Sequence, residues 1–228
     1  MVSLHSPVVH FPIGGLFITV FATVSGFILH LLISNDKIPE KILKVFGKDI
    51  VTKLDFVAHI SGIIGLLGII ISTVSGILDA AGVESFIITD LNLFVIGITN
   101  SLSSSLLTYK IAMTLIAFNI FLVVGIIRLY FVTYKGNKHM YQTDITIQLI
   151  YVISIIYGFS FLILIGATGG LITSGSTILS QIPIINELLP GGSPIFLGLY
   201  IIGPSLLAIS IILYKLLSNR KNINLSAS

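Results

Sequence analysis

The chain has 228 residues, of which 55% are hydrophobic and 9% are charged, whereas about 25% of the residues of an ordinary soluble domain are charged. Together with a mean hydropathy of +1.08, this composition excludes a typical soluble protein and predicts an integral membrane protein built as a single domain over residues 1–228. The formal charge of +3 forms no basic stripe, which excludes a nucleic-acid partner, and the lack of cysteine excludes disulfides and cysteine-ligated clusters.

Five apolar runs are long enough to cross a bilayer, and the first shows the pattern most clearly. Between Val8 and Ile33 the chain carries no Asp, Glu, Lys or Arg, and a helix needs about 20 such residues to cross the hydrocarbon core. We therefore predict an all-α fold, a polytopic transmembrane helix bundle of the cell membrane with the lipid bilayer around it. The five predicted spans are residues 8–33, 56–78, 106–134, 146–172 and 194–214.

The segments between the spans predict the orientation of the bundle. Lysine or arginine occurs in the first loop, the third loop and the C-terminal tail, whereas the N-terminal segment, the second loop and the fourth loop have none. Because positively charged loops stay in the cytoplasm, we predict the N-terminus outside and the C-terminus inside. The apolar second loop, 80–105, is expected at the outer interface or folded back against the bundle, and the fourth, 176–194, is expected to form a short interfacial helix.

Small residues follow one another at helical spacing along the second predicted span. In lipid, close packing of backbones over such residues drives helices together, so we predict a contact with another helix. A flat cofactor lying against the small residues is the alternative. His59 lies on the opposite flank and faces something else. The residues of this seam are Ser61, Gly65, Gly68, Ser72, Ser75 and Asp79.

Two histidines lie at similar depth in the first two predicted spans. His30 is near the inner end of the first span, on the same face as Thr19, Thr23 and Gly26, and His59 lies shortly after the start of the second. Ionisable groups in a bilayer are costly and mark functional sites, and two imidazoles at one depth match the axial ligands of a b-type heme. We therefore predict His30 and His59 as heme-iron ligands. Hydrogen bonding to backbone carbonyls, or snorkelling to the interface, is the alternative.

Three other histidines lie nearer to the predicted membrane surfaces. His5 and His10, at the outer end of the first span, are candidates for a second cofactor site or for a hydrogen bond to a quinone head group. Capping of the helix start and solvation at the interface are the alternative for both. His139 lies beside Lys138 in an inner loop, and we expect it to be exposed to solvent.

The third predicted span carries two basic residues and one amide. Lys110 and Arg128 are five helical turns apart and share a face. They are expected to act as snorkelling anchors at the two membrane interfaces. Asn119, at mid-membrane on the opposite face, is expected to hydrogen-bond to a neighbouring helix.

Three motifs resemble those of one family. Residues 5–13 read His-Ser-Pro-Val-Val-His-Phe-Pro-Ile and resemble the His-Pro-x-x-Val-His-Phe-Pro-Ile start of small polytopic membrane proteins known as domain of unknown function 2231. Residues 75–79 and 169–175 are similar to its Gly-x-x-Asp and Gly-Gly-x-Leu-Val-x-x-x-Gly segments. The resemblance implies an accessory subunit of a redox system. Ser6 is an insertion relative to the family motif, and Lys110 takes the place of a family histidine, which makes Lys110 a candidate for binding an anion or a quinone oxygen.

Two classes of function are consistent with these features. The first is a membrane subunit of a respiratory-type electron-transfer complex that binds b-type heme or a quinone at its histidines, with other membrane or extracytoplasmic redox subunits as partners. The second is a cofactor-free anchor or scaffold subunit. A small transporter fits less well, because it favours repeated halves with broken helices. No nucleophile has a base at plausible spacing, so we expect a subunit rather than a stand-alone enzyme.

Overall fold

The computed structural model describes residues 5–37, 47, 49–80, 105–174, 181–189, 198, 200 and 202 of the chain. The chain divides into two compact units, Met1–Ser176 and Thr177–Ser228. The described part of the first unit consists of helices joined by turns. The all-α fold predicted from the sequence is therefore confirmed for the described residues.

The described residues of the first unit contain four long helices. Between the last two, the chain passes through a π-helical segment, Leu129–Tyr134, and a 3-10 turn, Met140–Gln142. The π-helical segment directly continues the third helix. The four helices are α1, His5–Ser34; α2, Ile50–Ala80; α3, Ser105–Arg128; and α4, Ile145–Ser174.

Each of these helices contains a stretch that is long and apolar enough to cross a bilayer. This agrees with the first four predicted spans and with a helical membrane protein. The fifth predicted span, 194–214, and the second loop, 80–105, lie almost entirely outside the described residues. The four stretches are Pro12–Ser34, Ile50–Leu78, Leu106–Tyr134 and Ile145–Gly169.

The four helices pack in a ring, α1 on α2, α2 on α3, α3 on α4 and α4 on α1. The contact between α1 and α2 uses the predicted seam of small residues. A Cβ atom added to Gly65 would lie 2.5 Å from Leu16 Cγ, and one added to Gly68 would lie 2.9 Å from Pro12 Cβ. Only residues without a side chain allow such a close approach of the two backbones. The predicted helix contact at the seam is confirmed.

Helix α2 begins earlier than the predicted span, at Ile50. On its exposed side, Lys53 pairs with Asp49 one turn before it, at 3.1 Å, which supports the first turn. On its inner side, the Asp55 side chain is only 1% exposed. In the sequence, Lys53 and Asp55 mark the boundary of the apolar run. In the structure both belong to α2, because each has a partner of opposite charge.

The end of the bundle where α1 and α3 finish and α2 and α4 begin is called the basic end below, because Lys37, Lys53, Lys135 and Lys138 lie there. The 3-10 turn before α4 is buried at this end, with Met140 0% and Tyr141 1% exposed. The Tyr141 hydroxyl donates to the Thr23 carbonyl at 2.7 Å, and Gln148 Nε2 donates to the Tyr141 carbonyl at 2.9 Å. These bonds fix the turn between the helix ends.

The second unit contains a short helix, α5, Pro183–Leu188. Its proline lies in the first turn, where the missing N–H would have no partner in any case. Ile184 is 65% exposed and Leu188 is 4% exposed. A short helix within residues 176–194 is therefore present, and its position at the membrane interface stays a prediction.

Candidate functional site

A buried ion pair joins α2 to α3. Arg128 Nε and Nη2 donate to Asp55 Oδ2 at 3.0 and 2.6 Å, and the two side chains are only 8% and 1% exposed. Arg128 is the last residue of α3, and Asp55 lies in the second turn of α2. A charge in an apolar interior is costly unless it is paired, so each residue stabilises the other and the two helix ends are held together.

The predicted role of Arg128 as an interfacial anchor is wrong. Its guanidinium points into the bundle because Asp55 on the neighbouring helix accepts two hydrogen bonds from it. The expectation for Asn119 is also wrong. Its side-chain amide donates to the Leu115 carbonyl of its own helix at 2.8 Å, so the helix satisfies this group without a neighbour.

Four buried polar atoms at the basic end have no hydrogen-bond partner of good geometry among the described residues. They are Asp55 Oδ1, which lies near the backbone of Met140, Thr23 Oγ1, which lies near the side chains of Tyr141 and Tyr151, Gln148 Oε1 and His139 Nδ1. Buried polar atoms are generally satisfied by protein, by ordered water or by a ligand. The basic end therefore has a polar interior between apolar helices.

A pocket lies beside the ion pair, among α1, α2, α3 and α4. Its enclosed volume is about 30 Å³, and its empty space reaches about 340 Å³ only when the part that is open to the outside is included. Most of its wall is apolar, and His59, Arg128 and Tyr151 contribute polar groups. The lining residues are Thr19, Ala58, His59, Gly62, Ile63, Leu66, Phe121, Val124, Gly125, Arg128, Tyr151 and Ile155.

The pocket opens on the outer surface of the bundle between α2 and α3. Ile63, in its wall, is 42% exposed, and a Cβ atom added to Gly125 would meet nothing within 4 Å. The inner wall is closed by Phe121 and Ile155, which are 4% and 1% exposed. Both sides of the opening belong to membrane-spanning stretches.

His30 belongs to a separate group of rings at the basic end. Its ring centroid lies 5.6 Å from that of His139 and 6.0 Å from that of Tyr141. The expectation that His139 is exposed is wrong, because the turn before α4 folds into the bundle and buries its Nδ1. Burial, together with the charges of His30 and Lys138, lowers the pKa of His139 to about 4. Burial also raises the pKa of Tyr141.

The two predicted heme ligands have different surroundings. His59 lines the pocket one turn after Asp55, whereas His30 packs against His139 and Tyr141. Within the described residues, no group of three or more His, Cys, Asp or Glu side chains is arranged to hold a metal ion. A heme iron needs only two axial histidines, so the heme prediction for His30 and His59 stays a prediction.

The other predicted site residues lie at the opposite end of the bundle. His5 and His10 belong to the first turns of α1, but their side chains lie outside the described residues. Lys110 lies near the start of α3, and its Nζ would be 3.6 Å from a Cβ atom added to Gly169 on α4. Lys110 is not among the residues that line the pocket.

Sequence reasoning missed two residues of the site, Asp55 and Tyr151. A signal for Asp55 was present, because it lies one turn before His59 and because Arg128 is a lone charge near the end of another apolar run. Lone opposite charges in two spans tend to pair. Tyr151 carried no comparable signal, since it is one of eight tyrosines in the chain and only the fold brings it to the pocket.

Comparisons of this chain with protein-family models, curated proteins and solved structures find no match. The resemblance of residues 5–13, 75–79 and 169–175 to the family of unknown function therefore rests on these motifs and stays a prediction.

Proposed function

We propose that the chain is an integral membrane subunit of an electron-transfer complex and that the pocket beside His59 binds the head group of a lipid-soluble quinone. One observation supports this most strongly. The pocket combines apolar walls and an opening between two helices that are apolar enough to cross a membrane with a polar end formed by His59, Arg128 and Tyr151. A lipid-soluble quinone also has an apolar part and a polar part. Its tail is apolar, and its ring carries two carbonyl oxygens that accept hydrogen bonds.

His59 is the proposed donor to one quinone carbonyl, since an imidazole offers a ring N–H. Arg128 is the second proposed donor. Its guanidinium has five N–H groups, and its bonds to Asp55 use only those on Nε and Nη2. Asp55 acts as a positioning residue, because it fixes the guanidinium at the polar end of the pocket.

Reduction of a quinone to a quinol consumes two electrons and two protons. The residues of this chain bind the ring, turn a carbonyl towards His59 and exclude water through Phe121 and Ile155. The two electrons come from a reduced redox centre of a partner subunit in the membrane or on its outer side, which is oxidised in the step, and the two protons come from water at the membrane surface. Because this chain binds the quinone and a partner supplies the electrons, we propose a subunit and not a stand-alone enzyme.

A b-type heme with His30 and His59 as axial ligands is the runner-up cofactor. Its support is that the two histidines belong to α1 and α2, which pack directly against each other. Against it, His30 would have to leave its ring contacts with His139 and Tyr141. Quinone binding at His59 requires no such rearrangement, and we therefore propose it first.

The proposed topology has five spans, with the N-terminus outside and the basic end in the cytoplasm. It is supported by the distribution of Lys and Arg among the loops. Reporter fusions at Lys44 and Ser228 should indicate the cytoplasm, and a fusion at Val83 should indicate the outside. A result that places Lys44 and Val83 on one side would contradict the topology.

Binding of a short-chain quinone to the purified protein in phosphatidylcholine nanodiscs tests the proposal. We would measure the bound fraction of decyl-benzoquinone and of an alkyl-naphthoquinone by equilibrium dialysis against empty nanodiscs. Gly125→Leu fills the opening without displacing protein atoms at its Cβ, and it should weaken binding at least tenfold. Gly166→Leu is the matched control, because Gly166 also has open space but does not line the pocket.

The histidine is tested separately from the shape of the pocket. His59→Leu removes one hydrogen bond, which corresponds to about fivefold weaker binding. Binding to the wild-type protein that does not exceed binding to empty nanodiscs, for both quinones, would contradict the proposal. The cofactor-free scaffold would then be the better account of the chain.

A further inference from the structure

The π-helical segment that continues α3 carries a pair of exposed tyrosines at the basic end of the bundle. Tyr130 and Tyr134 are 45% and 78% exposed, and their rings stack with an interplanar angle of 20° and centroids 5.5 Å apart. Both belong to the π-helical segment, a conformation that is rare and frequently found at functional sites. Tyr134 is also the last residue of the stretch that is long and apolar enough to cross a membrane, so we expect the pair where the bilayer ends.

A lysine is held against this pair. Lys135 Nζ lies 5.7 Å from the centroid of the Tyr130 ring, within the range of a cation–π interaction. The ring is neutral, so the contact positions the ammonium without cancelling its charge. Lys138 follows in the same turn, in which Gly136 has a φ of +74° and thereby reverses the chain beside the membrane edge.

An exposed apolar stripe on α3 leads to the tyrosine pair. Its apolar residues recur at spacings of seven, four and three, so they share one face of α3 and of the π-helical segment that continues it. They are Leu115, Leu122, Ile126 and Leu129, which are 56%, 40%, 56% and 45% exposed. Asn119 lies on the same face, and its amide donates to the Leu115 carbonyl.

We propose that Tyr130, Tyr134, Lys135 and Lys138 form a binding surface for the head group of an anionic phospholipid. The phosphate would lie between the two ammonium groups and accept hydrogen bonds from the tyrosine hydroxyls, while an acyl chain follows the apolar stripe. Tyrosine and lysine at a membrane edge have the required character, because one end of each side chain is apolar and the other is polar.

The position of this surface agrees with the chemistry of its ligand. Under the proposed topology, the basic end faces the cytoplasmic leaflet, which carries the anionic lipids. Each lysine close to such a surface contributes a preference of about fivefold. The two lysines together give an expected preference for an anionic over a zwitterionic lipid of about 25-fold. This inference does not depend on quinone binding.

The chain has no tryptophan, so Tyr134→Trp introduces a single fluorescent reporter into the surface. We would reconstitute this variant in phosphatidylcholine liposomes and measure quenching by brominated phosphatidylglycerol and by brominated phosphatidylcholine. The anionic lipid should quench at about 25-fold lower mole fraction. Adding Lys135→Gln and Lys138→Gln should remove this preference. The control Lys53→Gln should keep it, because Lys53 is already paired with Asp49.

Three results would overturn the proposal: equal quenching by the two lipids, an unchanged preference after loss of both lysines, or displacement of the lipid by millimolar inorganic phosphate. The last would show that the surface takes a free anion. Native mass spectrometry of the unsubstituted protein, from an equimolar mixture of phosphatidylglycerol and phosphatidylcholine, checks the same preference without the tryptophan. Retention of equal amounts of both lipids there would also contradict it.

Discussion

Removing one partner of the buried ion pair is the substitution with the largest expected effect on stability. Asp55→Ala leaves the Arg128 guanidinium inside the bundle without a carboxylate. The two lost hydrogen bonds, at 3.0 and 2.6 Å, are charge-assisted and contribute about 1.5–3 kcal/mol each. Their sum agrees with the roughly 3–5 kcal/mol that breaking a buried pair typically costs. We therefore expect the free energy of unfolding to fall by about 3–5 kcal/mol.

Replacing both partners separates the cost of an unpaired charge from the contribution of the pair. Asp55→Leu with Arg128→Met leaves no buried charge, and such replacements are often neutral or stabilising. The double variant should therefore be markedly more stable than Asp55→Ala or than Arg128→Met alone. The exposed pair of Lys53 and Asp49 is the matched control, and Lys53→Gln should cause no measurable change.

The measurement is the free energy of unfolding in mixed micelles, obtained by steric trapping or by denaturing-detergent titration. The reasoning is refuted if Asp55→Ala and Arg128→Met each remain within about 0.5 kcal/mol of the wild-type protein. It is also refuted if the double variant is destabilised by the sum of the effects of Asp55→Leu alone and Arg128→Met alone, because the effects of independent sites add.

Three further predictions concern the packing and the basic end. Gly65→Leu with Gly68→Leu should destabilise the bundle by more than about 2 kcal/mol in the same unfolding assay, because the added atoms overlap α1, whereas Gly14→Ala should be neutral. The free energy of unfolding should fall as the pH drops from 6.5 to about 4 and be flat above pH 6.5. The pKa of His139 is about 4 in the folded protein and 6.5 without burial, so between these two pH values the unfolded state binds more protons than the folded state. His139→Gln should flatten the pH profile. Tyr141→Phe should cost about 1 kcal/mol through its lost hydrogen bond to the backbone, and unchanged stability would indicate that the turn is held by packing alone.

The first four spans and the seam were predictable because both depend on local patterns. An apolar run of sufficient length crosses the bilayer whatever its neighbours are, and glycine at helical spacing marks a close contact before the partner is known. Gly65 and Gly68 lie against α1 for this reason. The small and polar face of α1 was predictable in the same way, and Thr23 on that face is fully buried.

The site was only partly predictable because it depends on contacts between distant segments. The sequence near Arg128 predicts an interfacial anchor, because it does not show that Asp55, on another helix, faces this residue. The sequence near His139 predicts an exposed loop residue, because it does not show that the turn before α4 folds into the bundle. His59 was identified because an ionisable group in an apolar run is informative by itself, but its neighbours in the pocket were not. The spacing of residues along one helix predicts which of them share a face, but it does not predict which residues of other helices contact that face.

The most direct test of the central claim is the site of attachment of a photoreactive quinone. The protein in nanodiscs would be illuminated with an azido-benzoquinone and digested, and the labelled peptides would be identified by mass spectrometry. The account predicts labelling within residues 58–66 of α2 and 121–128 of α3, the two walls beside the opening. This labelling should be lost in Gly125→Leu and retained in Gly166→Leu. Labelling spread evenly over the lipid-facing residues of all four helices, and unaffected by Gly125→Leu, would contradict the account.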